Sequence, residues 1–113
     1  MQIANSKEIK LDSISISNNK KFVLLGGINV IESHNFAVET ACFYSEVCKR
    51  LDIPFVFKAS YDKANRSSNN SFRGPGIEKG LETLKHIKTK YNIPIITDVH
   101  TNAEAILAAE VCD

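Results

Sequence analysis

Apolar residues recur along this chain in two rhythms that alternate. Phe22-Val23-Leu24-Leu25 is a short continuous run closed by Gly26-Gly27, and it predicts a strand over 22–26. From Ser33 to Leu51, Ala37, Ala41, Tyr44, Cys48 and Leu51 stand four, three, four and three apart, one face of an amphipathic helix. Pro54 to Ala59 predicts a second strand around Phe55-Val56-Phe57. The next helix carries Ile77, Leu81, Leu84, Ile87 or Lys88, and Tyr91 on one face. Its charges suit a helix dipole, with Glu78 in the first turn and Lys85, Lys88 and Lys90 in later ones. Pro94 to Val99 predicts a third strand. Thr101 with Glu104 three residues on has the spacing of a capping box, and opens a last helix with apolar positions at Ala103, Ile106, Leu107 and 109–111. Cys112-Asp113 then falls where a fourth strand would start.

Strands that are continuously apolar are buried on both faces, which is the mark of a parallel sheet in an α/β fold. The repeat of about 30 to 40 residues fits βα units of a barrel or of a doubly wound sheet, and the pattern leaves both open. Residues 1–21 lie outside this repeat. Ile3, Ile9, Leu11, Ile14 and Ile16 alternate weakly with polar residues; Leu11 to Ser17 predicts a strand and Ser17-Asn18-Asn19-Lys20 a turn, so the segment reads as a hairpin or arm. Three parallel strands leave two open edges and too few helices to cover both faces. A closed barrel needs eight units in about 250 residues, so 113 residues read as a fragment of one domain.

Composition narrows the class without choosing the function. At 43% hydrophobic and 24% charged the chain is ordinary for a globular protein, and a net charge of +1 provides no global field for nucleic acid or an anionic membrane. No apolar run approaches the roughly 20 residues that span a bilayer, and Met1 to Lys10 has no apolar core of a secretory signal. Cys42, Cys48 and Cys112 are odd in number and lack CxxC spacing, which reads as reduced thiols in a cytoplasmic protein.

Reactive groups in parallel α/β folds collect at the C-terminal ends of strands. After the second strand, Lys58-Ala59-Ser60-Tyr61-Asp62-Lys63-Ala64-Asn65-Arg66-Ser67-Ser68 sets two lysines and an arginine within nine residues, with small hydroxyl and amide groups between. Like charges at about 4 Å repel by roughly 4 kcal/mol at an effective dielectric near 20. Cations that converge there imply an anion such as phosphate; a solvated loop with splayed lysines is the other reading. Gly74-Pro75-Gly76 resembles a tight turn at a helix N-terminus, a second possible anion site. Asp98 and His100 are two apart and share a side of an extended strand, either to contact a sugar, water or metal, or to cap and hydrogen-bond at the strand end. After the first strand, Gly26-Gly27 and Asn29 form either a ligand approach or simply a turn. Neither a Walker pattern nor G-x-G-x-x-G is present, and His34 and His86 read as solvent-facing.

Taken together, Phe-Val-Leu-Leu-Gly-Gly-Ile-Asn-Val-Ile-Glu-Ser (22–33), Phe-Lys-Ala-Ser-Tyr-Asp-Lys-Ala-Asn-Arg-Ser-Ser (57–68), Phe-Arg-Gly-Pro-Gly (72–76) and Ile-Thr-Asp-Val-His (96–100) closely resemble the early motifs of the 3-deoxy-D-manno-octulosonate 8-phosphate synthase family. The resemblance implies a (β/α)8 TIM barrel, usually a homotetramer, with 1–21 as a hairpin at the barrel's bottom and 22–113 as the first three βα units. It implies an aldol-type condensation of phosphoenolpyruvate with arabinose 5-phosphate, feeding lipopolysaccharide inner-core synthesis. By similarity, Lys58 and Ser60 contact phosphoenolpyruvate, and Lys63 lies between the substrates. Asn65, Arg66 and Ser67 hold arabinose 5-phosphate, while Asp98 orients the sugar or a reacting water with His100 nearby. Metal-dependent members carry a cysteine where this chain has Asn29, so the resemblance implies the class that works without metal or other cofactor. The rival reading is a truncated, catalytically inactive barrel fragment that folds only with a complementary partner.

Overall fold

A computed structural model describes residues 7–67 and 70–113. Met1 to Ser6, with the apolar Ile3, and Ser68 and Asn69 of the polar loop lie outside the described residues. The chain opens with an antiparallel hairpin, β1 (Ile9–Leu11) and β2 (Ile14–Ile16), followed by β3 (Leu24–Ile28), α1 (His34–Arg50), β4 (Phe55–Ala59), α2 (Ile77–Tyr91), β5 (Ile95–Ile96) and α3 (Asn102–Ala108). The strand predicted over Leu11 to Ser17 is interrupted, because Asp12 adopts a left-handed φ of 53° and turns the chain between Leu11 and Ile14. The predicted turn after Ser17 is present, closed by Lys20 N–H donating to the Ser17 carbonyl at 3.3 Å.

β3, β4 and β5 form one parallel sheet in chain order. β3 begins and ends two residues later than the pattern predicts, so Gly26 and Gly27 lie within the strand instead of closing it. The reason is steric. Gly27 pairs with Lys58, and a Cβ on Gly27 would lie 1.9 Å from the Lys58 carbonyl oxygen. The glycine is what lets β4 approach.

Side-chain alternation sets the layers. Phe55, Phe57, Ala59 and Ile95 point into a core with Ala37, Ala41 and Cys48 of α1, Leu81, Leu84 and Ile87 of α2, and Ala108 of α3. Leu25, Val56, Lys58 and Ile96 therefore fall on the other face, and the helices cover one side of the sheet. Both long helices form as the apolar spacing predicts. Ser33 caps α1 by accepting from Phe36 N–H at 3.1 Å, and Thr101 caps α3 by accepting from Glu104 N–H at 3.1 Å. Leu51, placed on the buried face of the first helix by spacing, is its exposed C-cap.

Two predicted elements are shorter than expected. β5 ends at Ile96, where the Thr97 hydroxyl turns to the Ala59 carbonyl at 2.8 Å and leaves the ladder. α3 ends at Ala108, and 109–111 form turns, with Cys112 N–H donating back to the Ala108 carbonyl at 2.7 Å. Asp113 then returns beside β5, donating its N–H to the Ile95 carbonyl at 2.9 Å and accepting from Ile95 N–H at 3.0 Å.

The hairpin borders a hollow with Cys48, Lys49, Ile53 and Pro54, at the N-terminal end of β4 and away from the strand ends that carry the loop lysines. His34 and His86 are exposed as predicted, yet they are not idle. The His34 ring meets Thr83 Oγ1 at 2.9 Å and packs against His86 at 5.1 Å, bracing α1 on α2. All three cysteines are free thiols. No helix among the described residues is long and apolar enough to cross a membrane.

Candidate active site

The C-terminal ends of β4 and β5 are knitted together beyond the strands themselves. Ile31 N–H donates to the Ser60 carbonyl at 3.0 Å on one side of β4, and Thr97 grips Ala59 on the other. These bonds fix the backbone from Lys58 to Ser60. Lys58 is half-buried, and Ser60 is fully buried.

Ser60 Oγ donates to Asp98 Oδ1. Burial pushes the Asp98 carboxyl up, but the Ser60 hydroxyl, a backbone N–H and the nearby Lys63 and Lys58 outweigh it, so its pKa lies below the usual aspartate value. Asp98 is therefore an anion at neutral pH and only accepts. His100 Nε2 lies 3.7 Å from Asp98 Oδ2 and 2.9 Å from the Asp62 carbonyl. A carbonyl cannot donate, so Nε2 carries the proton. The structure thus brings Ser60, Asp98 and His100 together, with Lys58 and Lys63 near enough to Asp98 to lower its pKa, although β5 stops short of Asp98 and His100.

The remaining predicted residues stand apart from that cluster in their contacts. Arg66 N–H donates to the Lys63 carbonyl at 3.1 Å, but its guanidinium donates to the Phe72 carbonyl and lines a hollow of about 320 Å³ with Val30, Glu32 and Phe72. Asn65 and Ser67 are exposed on the same loop, and Asn29 is exposed just past β3. The Gly74-Pro75-Gly76 turn spends its Gly76 N–H on the Tyr61 carbonyl at 3.2 Å, an internal partner in place of an anion.

Four residues of structural weight at this site were not singled out for it by the sequence. Arg73 makes a two-pronged ion pair with Asp62, Nε to Oδ1 at 3.0 Å and Nη2 to Oδ2 at 2.9 Å, which closes the base of the basic loop. Tyr61 is buried and donates its hydroxyl to Glu104 Oε1 at 3.0 Å. A capping-box spacing marked Glu104 as a cap residue only. Its partner lies 43 positions away in sequence, and only the strand alignment reveals it.

Ser60→Ala offers a direct test of the charge balance at Asp98. Its folded pKa is depressed, so its contribution to stability is present above the unfolded value of 3.8 and is lost as pH falls through the lower folded value. Removing the hydroxyl shrinks that depression. The variant is expected to lose about 1 kcal/mol at pH 7, a value held down by solvent screening of the half-exposed carboxylate. The difference from the parent should shrink in acid, below the folded pKa, as urea denaturation at the two pH values would show.

The profile of the DAHP synthetase I family matches residues 1–113. The chain belongs to the DAHP synthetase I family. Within reach of this family match, three curated relatives carry the name 2-dehydro-3-deoxyphosphooctonate aldolase, a synonym of the synthase whose motifs the sequence resembles. The protein from Synechococcus sp. (strain WH7803) is 56% identical over 108 residues, which cover 96% of this chain and 38% of the relative. That from Marinobacter nauticus is 59% identical over 105 residues, covering 93% and 37%. That from Acinetobacter baumannii (strain ATCC 17978) is 55% identical over 112 residues, covering 99% and 39%. The chain thus spans under two fifths of the length of these DAHP synthetase I family relatives.

Proposed function

We propose that this chain is the N-terminal part of a (β/α)8 barrel synthase acting on phosphoenolpyruvate and D-arabinose 5-phosphate. The products are 3-deoxy-D-manno-octulosonate 8-phosphate and inorganic phosphate. The match to the DAHP synthetase I family supports the barrel, and strands in chain order with helices over one face are what its first units require. On this reading 1–21 is the hairpin below the barrel and 22–113 the first three βα units, in a cytoplasmic homotetramer.

The observation that carries the function is the Ser60–Asp98 hydrogen bond across adjoining strand ends, with Lys58 and Lys63 near enough to lower the Asp98 pKa further. The reaction joins C3 of phosphoenolpyruvate to the sugar aldehyde, adds water at C2, and expels phosphate by C–O cleavage. Lys58 and Lys63 stabilise the anionic phosphoenolpyruvate and the oxyanion that grows on the aldehyde, with no reorganisation at the moment of reaction. Asp98, held ionised, accepts a hydrogen bond from a sugar hydroxyl or from the attacking water. Ser60 holds Asp98 in place; its contact with phosphoenolpyruvate requires the hydroxyl to rotate away from the carboxylate. An amide at Asn29 is a poor metal ligand and orients the aldehyde by hydrogen bonding, which supports a route independent of metal.

Arg66 is assigned to the phosphate of arabinose 5-phosphate. A phosphate competes well for a guanidinium that otherwise binds a neutral carbonyl, because both partners are then charged. Arg66→Ala, in the full-length enzyme carrying this segment, is expected to raise the KM for arabinose 5-phosphate about a hundredfold and that for phosphoenolpyruvate less than threefold. Steady-state phosphate release with each substrate varied in turn is the measurement. Equal effects on both would remove Arg66 from this role, and no condensation by the parent enzyme would remove the whole reading.

A further inference from the structure

We infer that Tyr61 and Glu104 form a strut that positions the His100 imidazole at the substrate face. This rests on the assignment of Asp98 and His100 to that face given above. Tyr61 is the largest fully buried side chain among the described residues, at 1% exposure. Burying an aromatic ring needs no hydroxyl; phenylalanine fills the same space. A buried phenol needs a partner for its O–H, and here the partner is a carboxylate recruited from another element, Glu104 in the first turn of α3.

The two ends of the strut are fixed by independent contacts. At the near end, a Cβ on Gly80 would lie 2.2 Å from Tyr61 Cβ, and one on Gly74 would lie 2.2 Å from the Tyr61 carbonyl oxygen. Both glycines make room for this residue, and Gly76 N–H holds its carbonyl. At the far end, Glu104 is itself anchored, its backbone N–H donating to Thr101 Oγ1. Burial, and then the Glu104 carboxylate, push the Tyr61 phenol pKa up, so the hydroxyl stays protonated and remains the donor.

Between these ends the rings of Tyr61 and His100 meet in a T-shaped arrangement, with centroids 6.1 Å apart and planes at 66°. His100 is thereby held on three sides: by the Asp62 carbonyl, the Asp98 carboxylate and the Tyr61 ring. The first contact fixes the proton on Nε2, and the ring fixes the imidazole plane. His100 immediately precedes Thr101, so the same strut also sets the entry of the chain into α3. Loss of the hydroxyl–carboxylate bond frees the ring to tilt, and His100 moves with it.

The test uses the full-length enzyme carrying this segment, at a temperature where each variant is folded. Tyr61→Phe and Glu104→Leu are each expected to lower kcat/KM for arabinose 5-phosphate about tenfold, while Glu104→Gln, whose amide oxygen still accepts the phenol proton, recovers to within about threefold of the parent. The double variant Tyr61→Phe with Glu104→Leu should fall about tenfold, not a hundredfold, because both changes break one device. In parallel, the ring nitrogen NMR shifts of His100 should move in Tyr61→Phe and Glu104→Leu but not in Glu104→Gln. Lowered melting temperature with unchanged kinetics and unchanged His100 shifts would make the pair core packing and overturn the proposal, as would additive losses in the double variant. If the parent does not condense the two substrates, the functional reading fails, and the His100 shifts still decide whether the strut exists.

Discussion

Lys63→Ala is expected to lower kcat/KM for the condensation about a thousandfold in the full-length enzyme, with most of the loss in kcat. The lysine sits on the loop after β4, close enough to Asp98 to draw its pKa down. A cation in this place acts twice. On the proposed reading it offsets the charge of bound phosphoenolpyruvate, and it adds to the lowering of the Asp98 pKa. Taking it away leaves the carboxylate facing an anionic ligand with Lys58 alone between them, so the Asp98 pKa should rise and the acid limb of activity should move to higher pH. Lys63→Arg keeps the charge but spreads it over a planar fork that does not fit a point-charge site, and should recover only part of the loss. Phosphate release against pH for the three proteins decides the matter. A loss below tenfold for Lys63→Ala would place the lysine outside the reaction.

The second large effect is on stability. Gly27→Ala is expected to cost about 4 kcal/mol, a substantial share of the 5–15 kcal/mol that holds a typical domain together. The obstructing atom is the Lys58 carbonyl oxygen, which belongs to a backbone in register with Gly27 and has no free rotation to escape. Relief requires β3 and β4 to part by more than an ångström, breaking ladder bonds at their C-terminal ends. Gly76→Ala is the useful contrast. That glycine has open space around its Cβ position but a φ of 90°, so only backbone strain opposes the change, at about 1 kcal/mol. The midpoints of urea denaturation of the two variants should therefore separate clearly. A Gly27→Ala protein as stable as its parent would mean that the strands are not packed this closely.

The helices were legible because their apolar spacing is long and their caps are local: Ser33 and Thr101 announce themselves within four residues. Strand limits were not. Phe22 looks like the start of β3 by composition but is exposed, and Gly26-Gly27 looks like a stop because glycine usually breaks a strand. Tight approach of a neighbouring strand reverses that meaning, and no single-strand pattern contains the neighbour. The third strand was read too long because Thr97 is a good strand former whose hydroxyl, in the fold, replaces a ladder bond. At the site, residue types at strand ends pointed to Lys58, Lys63 and Asp98 without help from geometry. Their convergence could not be read, since Ser60 and Asp98 meet only when two parallel strands are aligned across 38 positions. The folding back of Arg66 onto Phe72 was equally hidden: an arginine's reach allows many partners, and the loop chooses among them.

The pairing of β4 on both flanks has a further consequence. Lys58 is matched to Gly27 on one neighbour and Ile96 on the other, while Phe57 before it and Ala59 after it are enclosed by the helices. Sliding this strand by a single position would drive an ammonium group into hydrocarbon and expel an aromatic ring toward the opposite side. Lys58, the lysine proposed for phosphoenolpyruvate, therefore also polices alignment during folding, because a misthreaded sheet would have to bury its charge.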